Sequence, residues 1–376
     1  MEDLGHVPLP NNASAGGGVR VLQLTDVHRF PAGCRYWDCP KGRRVEMEPG
    51  YSTSGDVAIL EAALSNAAVH FVVLTGDILD GRPFGALGDR SAWRPALEQL
   101  LAPIQRAGLP WTFVPGNHDD DESPWSREDL LKIYDLPGCA SKGAMSFNHT
   151  MTIGFGAEAD EDALRLWFFD SGGNSPDPEI RYGTFGADCV RGFEDLAARL
   201  PPKTPGLAFF HIPLPEYGGL TPLHGTQGLF DSALRAGMVP RPWCWVPSLV
   251  RALGFHRAVG CSKLNSGIFD AFVRSGQIKA TFCGHDHACD AIFQRAGIFL
   301  CYGRVTSTTP PSDWEGDAPL PFAPGARVAQ RVSELDRQRQ QGRSVAGWVD
   351  GWQGFEVTCQ PSDLMEKGIT PNSKLV

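Results

Sequence analysis

The chain has 376 residues, 42% of them hydrophobic and 20% charged, with a formal net charge of −9 at pH 7. This length and composition predict a soluble globular protein with a sizeable core, in one large α/β domain or two smaller ones. The net negative charge and the lack of a concentrated basic stripe argue against a nucleic-acid partner. No apolar run approaches the ~20 residues that span a membrane, so we expect no membrane partner either.

The first half of the chain alternates short apolar runs with helix-like stretches. The runs at 19–26, 69–77 and 109–119 predict strands, and the stretches at 52–68 and 91–108 predict helices. The strands are nearly continuous runs of apolar and β-branched residues, which is typical of a parallel sheet that is buried on both faces. This half therefore predicts right-handed βαβ units.

The second half is richer in strands. Predicted strands lie at 145–155, 164–173, 206–214, 278–287, 291–303 and 351–358, with helices near 189–200 and 266–275. Two segments rich in Pro, Trp or Gly, at 218–262 and 306–325, predict surface loops or insertions. No linker divides the chain. We therefore expect a flexible leader over 1–18, one domain over 19–360 with an insertion near 218–262, and a tail over 361–376.

Polar side chains follow the apolar runs. In open α/β sheets, ligands collect outside the carboxyl ends of the strands. If the strand continues through FCGHDH, side chains two apart point to the same side, so both histidines of that segment would face one spot. Clustered imidazoles and carboxylates favour a metal site. The candidates are Asp26, His28, Asp77, Asn117, His118, Asp119, His211, His285 and His287.

These residues fall in five blocks, DVH, GD, GNHD, a lone His and GHDH, spread over roughly 19–305. Their order resembles the calcineurin-like metallophosphoesterases, whose motifs are D-x-H, G-D, G-N-H-D/E, H and G-H-x-H. Other segments, such as LAFFHIPLPEY, look like a plant, algal and fungal subgroup related to purple acid phosphatases. The resemblance implies an α/β fold: a four-layer α/β/β/α sandwich of two mixed β-sheets flanked by helices.

The resemblance also implies two metal ions and a role for each residue. Asp77 would bridge the ions, His118 would face the leaving oxygen of a phosphate ester, and Asp119 would orient the His118 ring. A water shared by the ions would lose a proton and attack phosphorus. Mixed oxygen and imidazole ligands suit manganese, iron or zinc. The first ion would be held by Asp26, His28 and His287, and the second by Asn117, His211 and His285.

One position departs from the purple acid phosphatases. Those enzymes carry a coloured tyrosinate ligand three residues after the bridging aspartate, and here that position is Asp80. We therefore expect a colourless ion pair. Arg127 has two interpretations, a substrate contact or part of a capped helical turn, and the second is favoured. Asp286, between two ligand histidines, is expected to be structural.

The leading interpretation of function is a phosphatase that acts on monoesters, either phosphoproteins or small phosphate esters. A phosphodiesterase or nucleotide pyrophosphatase would use the same site, and a non-catalytic scaffold is a further alternative. The start of the chain has no apolar signal-peptide region, which predicts a cytoplasmic protein, or a secretory one if the N-terminus is incomplete. Physiological substrate, metal identity, oligomeric state and a disulfide between Cys34 and Cys39 stay open.

Overall fold

The computed structural model describes residues 1–10, 18–29, 55–66, 68–80, 92–121, 126–159, 163–201, 204–220, 222–223, 259–287, 289–307 and 325–331. It also gives the backbone of strands at 35–38, 43–46, 314–315, 318–319, 348–349 and 352–358. Cys34, Cys39, the predicted tail and the middle of the predicted 218–262 insertion lie outside these residues.

The strands and helices are bounded as follows. The strands are β1 (Glu2–Pro8), β2 (Arg20–Leu24), β3 (Arg35–Asp38), β4 (Arg43–Glu46), β5 (Phe71–Thr75), β6 (Trp111–Val114), β7 (His149–Gly154), β8 (Leu164–Phe168), β9 (Gly206–Phe209), β10 (Ile278–Cys283), β11 (Ile292–Arg295), β12 (Ile298–Tyr302), β13 (Trp314–Glu315), β14 (Ala318–Pro319), β15 (Gly325–Arg331), β16 (Trp348–Val349) and β17 (Trp352–Thr358). The helices are α1 (Gly55–Asn66), α2 (Trp93–Arg106), α3 (Leu130–Ile133), α4 (Ala187–Ala197) and α5 (Ile268–Ser275). Short 3₁₀ turns lie at Arg127–Asp129 and Pro215–Tyr217.

The first sheet has six strands in the order β16-β17-β15-β2-β5-β6. β2, β5 and β6 are parallel neighbours, as the βαβ pattern predicts. The prediction of a mainly parallel sheet from the first half was incomplete, because β15 and β17 from the end of the chain extend it in antiparallel fashion. Pairing with β15 satisfies the backbone groups along the edge of β2, which would otherwise be left open.

The second sheet has seven strands in the order β1-β7-β8-β9-β10-β12-β11. β8, β9, β10 and β12 run parallel, whereas the β7–β8 and β11–β12 neighbours are antiparallel. The sheet is therefore mixed. The carboxyl ends of its four parallel strands lie at one edge, so the loops that follow these strands begin there.

The core is divided by the two sheets. Successive residues of a strand point to opposite faces, so Val21 and Val73 face a cluster shared with Leu166 and Phe209 of the second sheet. Leu22 and Leu74 face the other way, into a cluster with α1 and α2. On the outer face of the second sheet, Trp167 and its neighbours pack against α4 and α5. These three apolar layers confirm the predicted α/β/β/α sandwich.

The predicted leader over 1–18 is wrong for its first part. Residues 2–8 form β1, which pairs in parallel with β7 at the edge of the second sheet. Arg165 Nη1 lies 3.3 Å from Asp3 Oδ2, and His6 Nε2 lies 2.9 Å from the Gly156 carbonyl. An edge strand is stabilised by its backbone pairing and needs no apolar run, so the composition of this segment did not reveal it. Residues 11–17 lie outside the described ranges.

Among the described residues, no helix combines the length and the apolar character that a membrane crossing requires. The limits proposed from sequence for the domain and its tail stay predictions.

Candidate metal centre

The loops that carry the candidate residues meet at one edge of the two sheets. Asp26 and His28 follow β2, Asp77 follows β5, and Asn117 and His118 follow β6. From the second sheet, His211 follows β9, and His285 and His287 follow β10. The His285 backbone nitrogen lies 3.0 Å from Asp26 Oδ1, so the loops from the two sheets are in direct contact.

The backbone at these positions leaves the extended conformation. Asp26, His28, Asp77 and His285 have positive φ values of 53°, 50°, 50° and 75°. Residues with side chains rarely adopt this region, and where they do they cluster at functional sites. The interpretation of FCGHDH as one continuous strand is therefore wrong. β10 ends at Cys283, and in the turn that follows His285 and His287 join two different clusters of possible metal ligands.

Asp26, His28 and His287 form the first group that could hold a cation, with one donor atom from each lying within 4.8 Å of the others. His28 Nε2 lies 3.1 Å from His287 Nε2, which in turn lies 3.4 Å from Asp26 Oδ1. The other ring nitrogen of His28, Nδ1, lies 3.1 Å from Asp80 Oδ2. The Asp80 carboxylate can therefore hold the proton on Nδ1 and leave Nε2 as a ligand.

Asp77, His211 and His285 form the second group, again within 4.8 Å. His211 Nε2 lies 3.0 Å from Asp77 Oδ2 and 3.2 Å from Asn117 Oδ1, so Asn117 adds an oxygen as the fourth donor of this group. His211 Nδ1 donates to the Thr75 carbonyl at 2.8 Å, so its Nε2 also points into the group. The His285 ring packs edge-on against Tyr182, with centroids 4.4 Å apart.

Asp77 joins the two groups. Its Oδ2 lies 3.6 Å from His28 Nε2 in the first group and 3.0 Å from His211 Nε2 in the second. Two glycines allow the close packing of this region. Gly116 lies so near that an added Cβ would collide with the Asp77 carboxylate. At Gly76, with φ of 83°, a Cβ would lie 2.5 Å from His211 Nδ1. The donor set, imidazole nitrogens and carboxylate or amide oxygens around a shared carboxylate, fits two adjacent metal ions.

Burial and charge set the protonation of the ligands. Burial lowers the pKa of His28 to about 4, against the opposing pull of Asp80 and Asp77, and lowers the pKa of His285 to about 3. For His211, burial also acts to lower the pKa, but the Asp77 carboxylate outweighs it and raises the pKa to about 9. His28 and His285 are therefore uncharged at neutral pH, and a cation in the second group would replace the proton that His211 shares with Asp77.

The role predicted for Asp119 disagrees with the structure. Its carboxylate is buried and accepts the backbone N–H groups of Asp77, Ile78, Leu79 and Gly116 at 2.6 to 3.1 Å. The side chain that meets the His118 ring is Asp121, whose Oδ2 lies 3.0 Å from Nδ1. Asp119 therefore links the loop after β5 to its own loop after β6, because its oxygens face these backbone N–H groups and not the His118 ring. The His118 ring lies beside the first group, 5.5 Å from His28 between centroids.

Two further residues that the sequence singled out, Arg127 and Asp286, have clear places. Arg127 lies in a capped 3₁₀ turn with a Ser126–Asp129 capping box, as the favoured interpretation has it, and its guanidinium pairs with Asp120 and Asp170. Asp286 accepts from the Tyr302 hydroxyl at 2.8 Å, which fits a structural role. Three contacts of site residues were not predicted from the sequence: Asp80 with His28, Asp121 with His118, and Asn174 with Asn117. Only Asp80 had a sequence signal, its spacing from Asp77.

Comparisons with known proteins agree with this geometry. A sequence model for calcineurin-like phosphoesterases matches residues 19–289. Two Arabidopsis thaliana proteins, named "Probable inactive purple acid phosphatase" 28 and 29, are 28% and 25% identical, over 78% and 77% of this chain and 72% of each relative. "Phosphatase DCR2" of Saccharomyces cerevisiae is 26% identical over 76% of this chain and 48% of its own length.

A solved structure shares the fold. The dimetal phosphatase from Danio rerio superposes with a TM-score of 0.51 at 14% identity, covering 85% of this chain and 94% of that one. With the family match spanning most of the sequence and two His/Asp groups at the sheet edge, the chain belongs to the calcineurin-like phosphoesterase family.

Proposed function

We propose that this protein is a dinuclear-metal phosphatase that hydrolyses phosphate monoesters, either phosphoproteins or small phosphate esters. The observation that carries the proposal is the position of Asp77, whose carboxylate contacts a histidine of each metal group. A carboxylate shared by two donor groups is what an adjacent pair of ions requires. None of the seven ligand positions has been replaced by a residue that cannot bind metal.

The residues divide the work between binding and proton transfer. Two ions bound here would supply Lewis-acid activation of water and of the phosphoryl oxygens. Asp80 and the Thr75 carbonyl fix the tautomers of His28 and His211, so that each presents Nε2 to its group. His118 Nδ1 donates to Asp121, which leaves Nε2 as the atom that would pass a proton to the leaving oxygen.

Manganese, iron or zinc are the metals that we propose. The donors are imidazole, carboxylate and amide groups, and no cysteine takes part in either group among the described residues. Such a mixed hard and borderline set suits these ions and does not suit copper(I).

The test is a substrate panel on protein stripped of metal and reloaded with Mn²⁺, Fe²⁺ or Zn²⁺. We expect p-nitrophenyl phosphate and phosphoserine peptides to be hydrolysed faster than bis-p-nitrophenyl phosphate or nucleotides. A preference for the diester or for nucleotides would favour the phosphodiesterase alternative. Tight metal binding without hydrolysis of any ester would support a scaffold, which is relevant because both plant relatives carry the word inactive in their names.

A further inference from the structure

Two side chains outside the five sequence blocks connect His118 to Asn117. Asp121 Oδ2 lies 3.0 Å from His118 Nδ1 and also accepts from Asn174 Nδ2 at 3.1 Å. Asn117 Nδ2 donates to Asn174 Oδ1 at 3.2 Å. The far end of the Asn117 amide, Oδ1, lies 3.2 Å from His211 Nε2, inside the second metal group.

The chemistry of these groups gives the chain of hydrogen bonds one direction. A carboxylate only accepts, so both His118 Nδ1 and Asn174 Nδ2 donate to Asp121. The Asn174 oxygen is then left to accept from Asn117. Rotating the Asn174 amide by half a turn would set oxygen against oxygen and N–H against N–H. The Asn174 amide is thus fixed at both ends, and it directs the Asn117 oxygen towards the metal group.

The backbone that carries Asn174 is tied to the loop that carries His118. Arg127 Nη2 donates to Asp170 at 2.7 Å and to the Gly172 carbonyl at 3.1 Å, while Nη1 donates to the Gly116 carbonyl at 2.8 Å. Asn174 itself forms an isolated β-bridge with Tyr182, the residue whose ring packs on His285. Arg127 therefore fixes the segment around Asn174 relative to the loop that carries His118, and the bridge to Tyr182 connects it to the surroundings of His285. The Asn174 side chain itself is exposed.

We propose that Asn174 is a positioning residue that couples the two halves of the site. Through its oxygen it orients Asn117 as a ligand of the second ion, and through its nitrogen it holds Asp121 against the His118 ring. This inference rests on the proposed phosphatase activity for its kinetic half. Its metal-binding half concerns Asn117 alone and stands independently.

The test compares Asn174→Ala with Asp121→Ala and with the double variant. Asn174→Ala should weaken the second Mn²⁺ by about 10- to 100-fold in equilibrium dialysis, the usual effect of losing a residue that orients a ligand. It should also lower kcat more for phosphoserine than for p-nitrophenyl phosphate, with KM nearly unchanged. Asp121→Ala should show the kinetic effect with a smaller loss of Mn²⁺ affinity than Asn174→Ala, because the Asn174 oxygen can still accept from Asn117.

The double variant isolates the coupling. If Asn174 acts on His118 through Asp121, the kinetic losses should not add, whereas losses at independent sites would. Glu179→Gln is the matched control, because Glu179 lies in the same loop and pairs only with the exposed Lys263 among the described residues. Circular dichroism and unfolding midpoints establish that each variant is folded.

Three results would overturn the inference. These are unchanged Mn²⁺ affinity in Asn174→Ala, equal kcat losses on both esters, or additive losses in the double variant. If wild-type protein hydrolyses no ester, the proposed function fails. The Mn²⁺ affinity of Asn174→Ala then still decides the role of Asn174 towards Asn117.

Discussion

Asp119 and Asp121 lie two residues apart. The structure predicts that replacing Asp119 strongly destabilises the protein, whereas replacing Asp121 leaves its stability nearly unchanged. Asp119 Oδ2 accepts from the backbone N–H groups of Asp77 and Gly116 at 2.9 and 2.6 Å. Oδ1 accepts from Ile78 and Leu79 at 3.1 and 2.9 Å. In Asp119→Asn, one of the two oxygens becomes an NH₂ group, so two buried N–H donors face a donor.

The loss of stability follows from the free-energy penalty of leaving a buried N–H group without a hydrogen-bond acceptor. Each unpaired N–H costs about 1–3 kcal/mol, so Asp119→Asn should lower the free energy of unfolding by about 2–6 kcal/mol. Asp119→Ala leaves all four donors unpaired, a loss of about 4–12 kcal/mol, which is comparable with the ~5–15 kcal/mol stability of a typical protein. We therefore expect Asp119→Ala not to fold.

Denaturant unfolding of metal-free protein at pH 8 measures the free energy of unfolding of each variant. Burial and the neighbouring Asp77 carboxylate raise the pKa of Asp119 to about 6, so at pH 8 its carboxylate is ionised in the wild type. Asp121→Asn is the matched control, since Asp121 is partly exposed and its replacement should change stability by less than about 1 kcal/mol. If Asp119→Asn matched the wild type in stability yet lost kcat mainly on poor leaving groups, Asp119 would act on His118 and our reasoning would be wrong.

Further predictions concern the ions and the proton donor. His118→Asn should keep both ions and lower kcat by ~10²–10⁴-fold on alkyl esters, with a smaller loss on nitrophenyl esters, in a leaving-group series; a flat series with depleted metal would contradict this. Asp77→Asn should weaken both ions in metal analysis, whereas Asn117→Ala should weaken only the second. Because Asp77 outweighs burial and raises the pKa of His211 to about 9, metal affinity should rise with pH by up to about tenfold per unit, levelling off near pH 9; a pH-independent Kd would refute this. With Asp80 bonded to His28, iron-loaded protein should show no visible charge-transfer band in absorption spectra.

The sequence patterns predicted the parallel strands and the polar residues at their ends because both follow from local rules, whereas the four layers and the ligand assignments came from the family resemblance. Apolar runs with β-branched residues mark the parallel strands, and the residues after each run must lie at the same sheet edge. The strand β1 was missed because an edge strand such as Glu2–Pro8 alternates half-buried and exposed residues without an apolar run.

The partners of the site were harder to predict for a different reason. Three adjacent aspartates, 119 to 121, look equivalent in sequence, and only the turn decides that the second of the three pairs with Arg127 and the third meets His118. Asn174 lies 57 positions from Asn117 in the chain, and their contact depends on the loop that Arg127 anchors. Such contacts arise from tertiary packing and leave no local pattern.

The central claim is that Asp77 bridges two ions. Electron paramagnetic resonance of protein loaded with two equivalents of Mn²⁺ tests it directly, because ions about 3.5–4 Å apart across a shared carboxylate are magnetically coupled. We predict the broad spectrum of a coupled pair in the wild type, and its loss in Asp77→Asn. Two equivalents of bound Mn²⁺ that gave only the six-line signal of isolated ions would contradict the account.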